Sequence, residues 1–327
     1  MAKKETGINR RLTLELARVT ERAAVSASVL VGRGDEKAAD QAAVDAMRRE
    51  LNKLDIDGEV VIGEGERDEA PMLYIGEKVG TGSGPKVDIA LDPLEGTTLT
   101  AKGMANALAV IAMAEAGSLL NAPDVYMEKI AVGAGLPDGV IDLDASTEDN
   151  VSAVAKALGI GVEHMNICVL DRPRHAHIIE SIRKIGARVT LITDGDVAGV
   201  IHTTDPSTGI HMYIGTGGAP EGVLAAAALR CTGGQMQGRL ILTEKEHRDR
   251  ASKMGITDFN KKYSVNEMAA GDVVFSATGV TNGSMLNGIS TIGKEIWTET
   301  VVMRSSTGTI RWIKTRHENK DKFHLND

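Results

Sequence analysis

Cysteine, aromatic side chains and long apolar runs are all scarce in this chain. Of its 327 residues, two are cysteines and 3 % are aromatic. Cys168 and Cys231 stand in apolar stretches without a C-x-x-C spacing, which predicts buried free thiols and a reducing compartment. The longest apolar runs, such as residues 107–114, are much shorter than the ~20 residues of a membrane span, and no apolar targeting stretch follows Met1. We therefore expect a cytoplasmic protein without disulfide bonds or membrane spans.

Basic tracts are also missing, and acidic residues are in excess. The chain has 37 Lys and Arg against 45 Asp and Glu, which gives a net charge of −8. This balance disfavours nucleic acid as a partner. The surplus carboxylates either serve solubility or hold a cation, and their placement in the sequence has to decide between the two.

Glycine is abundant, and the length is that of two lobes. The chain has 36 glycines, above the ~7 % of average proteins, which predicts many tight turns and close backbone approaches. Hydrophobic residues make up 42 % and charged residues 25 %, as in soluble globular proteins. At ~150 residues per domain, we expect lobes at residues 1–160 and 161–327, divided near Gly159–Gly161.

The periodicity of apolar residues predicts an α/β protein. Spacings of three and four, with capping and glycine signals at the ends, predict helices at residues 12–30, 43–54, 149–158, 175–185 and 221–231. Short apolar runs predict strands at residues 59–62, 87–91, 107–114, 166–170, 188–193, 212–215, 240–242, 272–276, 300–304 and 309–314. The strand–helix–strand order over residues 166–193 predicts a βαβ unit with parallel strands.

Acidic residues stand where the predicted strands end. Glu64, Asp92, Asp171, Asp194 and Glu221 lie at a strand's carboxyl end or in the turn beyond it. Ligands of open α/β sheets bind outside these ends. Acids that only solubilise the surface would not share this position, so the pattern favours a binding site.

The string Asp92–Thr97 is the most specific motif. It spells D-P-L-E-G-T after a predicted strand, and Gly96 and Thr97 open a predicted helix. Such a turn can aim Asp92, Glu95 and a carbonyl at one hard cation, which prefers oxygen ligands. The helix start behind it favours a phosphate. A plain turn with capping acids is the alternative, and the complete string disfavours it.

Further acids supply ligands for more than one cation. The turn Gly63–Glu66 is followed by Asp68 and Glu69, and Asp40 heads the apolar face of the second helix. A solvated loop would explain the turn on its own. Beside the first motif, however, these carboxylates complete a site for two divalent cations, because each cation needs several oxygens to replace its water.

Three polar turns in the second half are compatible with phosphate and sugar binding. Arg172-Pro173-Arg174 is either a phosphate contact or a pair of surface arginines, and Asp194-Gly195-Asp196 is either a sugar contact or a helix-capping turn. The loop Gly215–Glu221 lacks the spacing of a nucleotide loop. Its Gly217 and Gly218 amides can still line an anion site.

Together these motifs resemble the class II fructose-1,6-bisphosphatases, a bacterial family of the metal-dependent, lithium-sensitive sugar phosphatase superfamily. The resemblance covers nearly the whole chain. It is carried by residues 32–35, 61–66, 68–77, 92–97, 120–127, 172–175, 194–196 and 217–221. Only the D-P-[IL]-[DE]-G-T string is shared with the wider superfamily, whereas the other segments are specific to this class.

The resemblance implies a layered αβαβα sandwich with an N-terminal metal-binding lobe and a C-terminal sugar-phosphate-binding lobe. It implies hydrolysis of the 1-phosphate of fructose 1,6-bisphosphate to fructose 6-phosphate and phosphate, in gluconeogenesis. It also implies two or more Mg²⁺ or Mn²⁺ ions per subunit and a homo-oligomer, a dimer or a tetramer.

The resemblance also assigns individual residues. It implies Asp40 and Glu64 as ligands of one metal, Asp92, Glu95 and Glu221 as ligands of the other, and Thr97 as the catalytic hydroxyl that orients the attacking water. The implied substrate contacts are Glu95, Gly96, Thr97, Tyr126, Arg172, Pro173, Arg174, Asp194, Gly195, Asp196 and Gly218. In one departure, family members commonly have Lys directly after the Asp of G-R-G-D, whereas Glu36 precedes Lys37 here.

Three other functions stay open at this point. A dual enzyme would also hydrolyse sedoheptulose 1,7-bisphosphate, which presents the same phosphate end. An inositol-type monophosphatase shares only the D-P-x-[DE]-G-T string, and the turns at residues 172–174 and 194–196 favour a longer substrate with a second anionic end. A non-catalytic sugar-phosphate-binding regulator would keep the pocket without needing Thr97.

Overall fold

The computed structural model describes residues 8–65 and 72–325, whose contacts divide them into two units. The first unit comprises the described residues up to Leu119 and those from Ala270 onward, and the second is Leu120–Ala269. The boundary expected near residue 160 lies inside the second unit, because the strand Tyr126–Val132 pairs along its length with Met212–Gly218. In sequence, the second unit therefore interrupts the first.

The described residues form a mixture of helices and strands. The α-helices are α1 (Leu12–Ser28), α2 (Glu36–Leu51), α3 (Thr97–Ala101), α4 (Thr147–Leu158), α5 (Ala176–Lys184), α6 (Asp196–Ile201), α7 (Ala219–Thr232), α8 (Lys245–Lys253) and α9 (Val265–Met268). The strands are β1 (Asp57–Ile62), β2 (Lys78–Val79), β3 (Lys86–Glu95), β4 (Leu108–Glu115), β5 (Tyr126–Val132), β6 (Asn166–Leu170), β7 (Arg188–Ile192), β8 (Met212–Gly218), β9 (Gln235–Leu240), β10 (Tyr263–Ser264), β11 (Val273–Gly279), β12 (Ser290–Ile292), β13 (Glu295–Arg304) and β14 (Thr309–His317).

The first unit packs two helices on one sheet. The strand order is β12-β13-β11-β4-β3-β1-β2, with β14 paired to β13. Only β1 and β3 are parallel among the paired strands of this sheet within the described residues. Leu16 of α1 and Met47 of α2 share one buried cluster with Ile89 and Ile111 of the sheet, as their apolar spacing predicts. Asp35 begins α2 by accepting a hydrogen bond from the Ala38 amide.

The second unit places helices on both faces of its sheet. The order is β10-β9-β5-β8-β6-β7. Residues of α4 and α5 share a buried cluster with Ile130 and Ile167. On the opposite face, Gly199 of α6 lies against Cys168, and Gly222 of α7 lies against Met127. Side chains of successive strand residues point to opposite faces, which accounts for this division between Ile167 and Cys168.

Most sequence predictions of secondary structure are confirmed. The βαβ unit is present, since β6, α5 and β7 follow one another and the two strands pair in parallel. Cys168 and Cys231 are buried free thiols. Two layers in the first unit and three in the second confirm the α/β class. No helix in the described parts of the chain combines the length and apolar character that crossing a membrane requires.

The strand prediction at residues 240–242 was wrong, and the sequence prediction missed several elements, of which β5 and α8 are the longest. The strand there is β9, Gln235–Leu240, in which half-exposed and buried residues alternate. Because its half-exposed residues are polar, it has no continuous apolar run that would predict a strand. β5 was missed because Glu128 and Lys129 interrupt its apolar pattern. α8 buries only Ala251 and therefore has no apolar stripe to reveal it.

Candidate active site

Four acidic residues of the first unit lie where β1 and β3 meet α2. Asp40 is on α2 and Glu64 follows β1. Asp92 and Glu95 are at the carboxyl end of β3. The parallel pairing of β1 with β3 brings the ends of both strands to one edge of the sheet. Asp92 and Glu95 offer carboxylate oxygens within 4.8 Å of each other. The structure thus brings these acids together at the carboxyl ends of two paired strands.

A break in the sheet aims the two acids of the D-P-L-E motif. The pairing of β3 with β4 shifts register between Asp92 and Glu95, and such bulges redirect side chains. The Asp92 carboxylate accepts a hydrogen bond from the Leu94 amide at 3.0 Å, which closes the turn. Pro93 supplies no amide hydrogen at the break. Glu95 is 5 % exposed, so its charge has little access to solvent.

The turn after β1 requires a glycine. A side chain at Gly63 would overlap the Leu73 carbonyl and Val60, and the Glu64 amide donates to that same carbonyl at 3.1 Å. The close backbone approach fixes where Glu64 leaves the strand. The other acids of this turn, Glu66, Asp68 and Glu69, lie outside the described residues.

Mutual repulsion and burial hold protons on this cluster. Burial, followed by the charge of Asp92, raises the pKa of Asp40 to about 6. Burial, followed by the charges of Asp92 and Asp40, raises the pKa of Glu64 to about 9. Carboxylates that resist ionisation in each other's presence are stabilised by a cation, and an all-oxygen donor set suits a hard divalent ion. The residues present therefore fit Mg²⁺ or Mn²⁺.

Thr97 begins a short helix directly after the acids. Gly96 has φ 91° and ψ 54°, a left-handed conformation that favours glycine, and it precedes α3. Thr97 is half-buried beside it. The predicted helix start at Gly96-Thr97 is thus confirmed, and the Thr97 hydroxyl follows Glu95 by two residues.

In the second unit, Arg174 and Tyr126 lie against the segment Gly215–Glu221. The sequence predicts a loop there, but Gly215–Gly218 form the paired end of β8, and α7 begins directly at Ala219. This segment keeps the name loop below. The Arg174 guanidinium donates from Nε and Nη2 to the Thr216 carbonyl at 3.1 and 2.7 Å. It also lies 4.8 Å above the ring centre of Tyr126, whose side chain is 54 % exposed. Arg172 is less constrained, because its Nη2 is 3.9 Å from Asp194 and both side chains are substantially exposed.

His175 holds the same loop from below. Pro173 starts a single 3-10 turn, Pro173–His175, which turns His175 inward. The imidazole Nδ1 lies 2.8 Å from the Leu170 carbonyl, and Nε2 accepts from the Thr216 amide at 2.8 Å. Burial lowers the pKa of His175, so the ring is neutral and Nδ1 carries its proton. The chain thus fixes Thr216 at both its amide and its carbonyl.

Asp196 is part of a buried network that the sequence did not reveal. Gly195, with φ 80°, precedes α6, and Asp196 is 5 % exposed on that helix. Its carboxylate lies 2.5 Å from Lys129 Nζ and accepts from the Tyr213 hydroxyl at 3.2 Å. Burial and Asp196 raise the pKa of Tyr213, which keeps its proton. The sugar contact predicted for Asp196 stays a prediction.

Glu221 lies over the start of α7. Gly218 precedes this helix and has extended backbone angles, and Glu221 is in its first turn. A side chain at Gly218 would overlap the Glu221 carboxylate, so the acid folds back on the loop. Within the second unit, the loop therefore gathers Tyr126, Arg174, Gly218 and Glu221.

The raised pKa values predict how stability depends on pH when metal is removed. Glu64 has a folded-state pKa of about 9 against about 4.5 unfolded, so the folded protein binds more protons between these values. The stability of the chelated protein should therefore fall as pH rises from about 4.5 to 9. Glu64→Gln, which does not titrate, should melt close to wild type at pH 5 and at a higher temperature at pH 9.

Thermal melting in a chelator over this pH range measures the effect. Glu59→Gln is the matched control, since Glu59 lies on β1 in an exposed ion pair with Lys78. Parallel melting profiles for wild type and Glu64→Gln would contradict the raised pKa.

Known proteins resemble this chain over nearly its full length. A family model described as bacterial fructose-1,6-bisphosphatase, glpX-encoded, matches residues 10–317. The fructose-1,6-bisphosphatase 1 class 2 of Escherichia coli K12 is 48 % identical over 324 residues, covering 95 % of this chain and 96 % of the relative. The class 2 fructose-1,6-bisphosphatases of Escherichia coli O6:H1 and Shigella flexneri show the same identity and coverage. The chain therefore belongs to the glpX-encoded family of bacterial fructose-1,6-bisphosphatases.

Proposed function

We propose that this chain hydrolyses the 1-phosphate of fructose 1,6-bisphosphate to fructose 6-phosphate and phosphate, as a phosphoric monoester hydrolase of gluconeogenesis. The observation that carries the proposal is the carboxylate cluster of Asp40, Glu64 and Asp92, in which burial and like charge raise the pKa values of Asp40 and Glu64. Relatives at 48 % identity bear the name of this activity.

The cluster would hold the divalent cations. Asp40 and Glu64 are the proposed ligands of one ion, and Asp92, Glu95 and Glu221 are those assigned to the other by the sequence resemblance. When bound, Mg²⁺ or Mn²⁺ supplies Lewis-acid stabilisation of charge on the phosphoryl oxygens. The carboxylates release their protons on binding, so the charge that destabilises the metal-free cluster becomes the source of its affinity.

Thr97 is the proposed catalytic hydroxyl. It is half-buried at the start of α3 and close in sequence to Glu95. A hydroxyl both donates and accepts hydrogen bonds, so Thr97 can hold the attacking water in line with the scissile phosphorus–oxygen bond. The left-handed Gly96 before it sets the direction of this side chain.

The second unit would bind the sugar and the distant phosphate. Arg174 donates two N–H groups to the Thr216 carbonyl, which leaves three of its five N–H donors for a ligand. Among the described residues, the Arg172 side chain has a long contact to Asp194 and donates to the Asp171 carbonyl. Two guanidiniums suit a phosphate dianion, and the exposed Tyr126 ring beside Arg174 offers a face for the sugar. The remaining proposed contacts are Pro173, Asp194, Gly195, Asp196 and Gly218.

Activity should require a divalent cation. Exhaustive chelation should abolish phosphate release from fructose 1,6-bisphosphate, and Mg²⁺ or Mn²⁺ should restore it, because the acids cannot approach a phosphate without a cation. Malachite-green detection of phosphate measures this directly. Full turnover in the chelated sample would contradict the proposal and would also remove the basis for assigning Asp40 and Glu64 as ligands.

Thr97→Ala should lower kcat by about 10²- to 10⁴-fold, the usual contribution of a positioned proton-transfer group, with a small effect on KM. Thr98→Ala, one residue further along α3, is the matched control and should stay close to wild type. Steady-state kinetics at saturating metal separate the two constants. A near-normal kcat for Thr97→Ala would show that this hydroxyl is dispensable.

Arg174→Ala should lower kcat/KM for fructose 1,6-bisphosphate by about 1.5–3 kcal/mol, the range for a hydrogen bond to a charged group. The effect on fructose 1-phosphate, which has no second phosphate, should be small. Arg172→Ala is the companion variant, since Arg172 lacks the bond to Thr216. Equal losses on both substrates for Arg174→Ala alone would assign that arginine to holding the loop rather than the phosphate.

Two finer points of the proposal need separate measurements. A phosphate-release screen that includes sedoheptulose 1,7-bisphosphate tests the dual activity, because both substrates present the same phosphate end. The proposed homo-oligomer, a dimer or a tetramer, is tested by light scattering of the purified protein. Absence of phosphate release from every substrate with either metal would favour the sugar-phosphate-binding regulator instead.

A further inference from the structure

Lys129 is a fully buried charge next to the proposed substrate loop. It lies in the middle of β5 and is 1 % exposed. Its cross-strand neighbours are Gly215 on β8 and Gly238 on β9, so neither neighbouring strand places a side chain beside it. A buried lysine is costly unless its ammonium group is paired and hydrogen-bonded, and here both conditions are met.

The Lys129 ammonium group has two acceptors. It lies 2.5 Å from a carboxylate oxygen of Asp196 and donates to the Gly218 carbonyl at 2.8 Å. Tyr213 donates to the same Asp196 oxygen at 3.2 Å. Lys129, Asp196 and Tyr213 thus form one buried cluster. Of these three side chains, Lys129 is the one that donates to the backbone of the loop.

The loop packs directly against the cluster of Lys129, Asp196 and Tyr213. A side chain at Gly217 would overlap the Asp196 carboxylate and would come to 3.0 Å from Lys129 Nζ. A side chain at Gly222, one turn into α7, would overlap Met127 and come to 3.4 Å from Lys129 Cδ. The glycines of this segment are therefore required by what lies beneath the loop, independently of any ligand above it.

Besides its pairing with β5, the loop is held at three backbone groups by side chains. His175 accepts from the Thr216 amide, and Arg174 donates to the Thr216 carbonyl. Lys129 holds the Gly218 carbonyl, and Gly218 is the residue from which α7 starts. Among these three side chains, Lys129 holds the residue nearest in sequence to Glu221, and the Ala219 amide adds a backbone bond to the Val125 carbonyl at 2.8 Å.

We propose that Lys129 is a positioning residue for the hydrolysis, which fixes the Gly218 carbonyl and thereby the start of α7 that carries Glu221. The proposal rests on the proposed roles of Gly218 in substrate binding and Glu221 in metal binding. Lys129 touches neither substrate nor metal in this scheme. It sets the place of groups that do.

Lysine suits this task for a chemical reason. The Gly218 carbonyl accepts its bond from a charged donor, and charge-assisted bonds are shorter and stronger than neutral ones. Asp196 lies beside the buried ammonium group and compensates its charge, as a buried charge requires. Methionine has a similar length and flexibility but no donor, and it therefore removes the anchor with little change in volume.

The test compares Lys129→Met with a control of similar cost to stability. Ile182→Ala is suitable, because Ile182 is fully buried on α5 in the cluster on the opposite face of the same sheet. Kinetics are measured well below the melting temperature of each variant, with fructose 1,6-bisphosphate and a titration of Mg²⁺ and Mn²⁺.

Lys129→Met should lower kcat/KM by about 10²-fold, the effect of a displacement of about 1 Å in a catalytic group. It should also raise the metal concentration needed for half-maximal activity. Ile182→Ala should lower the melting temperature while both kinetic quantities stay near wild type. Loss of activity in Lys129→Met no greater than in Ile182→Ala, with an unchanged metal requirement, would overturn the proposal.

A double variant keeps the test decisive if Lys129→Met fails to fold. Lys129→Met with Asp196→Asn removes both charges, so no unpaired carboxylate remains buried, and Tyr213 can still donate to the amide oxygen. Asp196→Asn alone is assayed beside it, because Asp196 is itself a proposed substrate contact. Losses in the folded double variant no greater than those of Asp196→Asn would overturn the proposal, and a further loss of kcat/KM with a raised metal requirement supports it. Glu221→Gln, assayed in parallel, judges the metal role of Glu221 separately: full activity there would refute that role without deciding on Lys129.

Discussion

Asp40, Glu64 and Asp92 are brought so close by the first unit that their negative charges repel one another in a partly dehydrated setting. The parallel pair β1 and β3 delivers Glu64 and Asp92 to one edge, and α2 adds Asp40 above it. Burial and this repulsion raise the pKa values of Asp40 and Glu64. Close-packed β-strands and a helix are needed to hold such an arrangement, since flexible acids would move apart into water.

The second unit meets the same problem with an opposite solution. Asp196 is also a buried carboxylate, but its compensating cation is Lys129, a permanent part of the chain. The acids of the first cluster, in contrast, raise the pKa values of Asp40 and Glu64, and their oxygen donors suit an exchangeable divalent ion. A buried acid that is paired with a lysine of the same chain stabilises the fold. A buried acid whose charge is compensated by a bound ion can serve as a metal ligand.

The sequence revealed the motifs with local signatures and missed those that depend on distant contacts. Asp92-Pro93-Leu94-Glu95 was predictable because a strand end, a proline and paired acids mark one turn. Asp194 and Asp196 looked equivalent in sequence, yet only Asp196 is turned inward, because it begins α6 against Tyr213 of β8. Lys129 gave no signal, since nothing local tells a buried lysine from an exposed one in a half-polar strand. The glycines opposite Lys129 on β8 and β9 do indicate a buried long side chain, but this can be recognised only when the strand register is known.

The interrupted first unit has a consequence for how the chain is made. β4 and β11 are hydrogen-bonded neighbours over seven paired positions, yet the whole second unit separates them in sequence. Ala270 donates to the Ser118 carbonyl at 2.8 Å, so the chain leaves and re-enters the first unit at nearly the same point. A ribosome therefore releases the complete second unit before it releases β11. The inserted unit has all its strands available first. The sheet that carries Asp92 is completed beside β4 only after the residues from Ala270 onward are released.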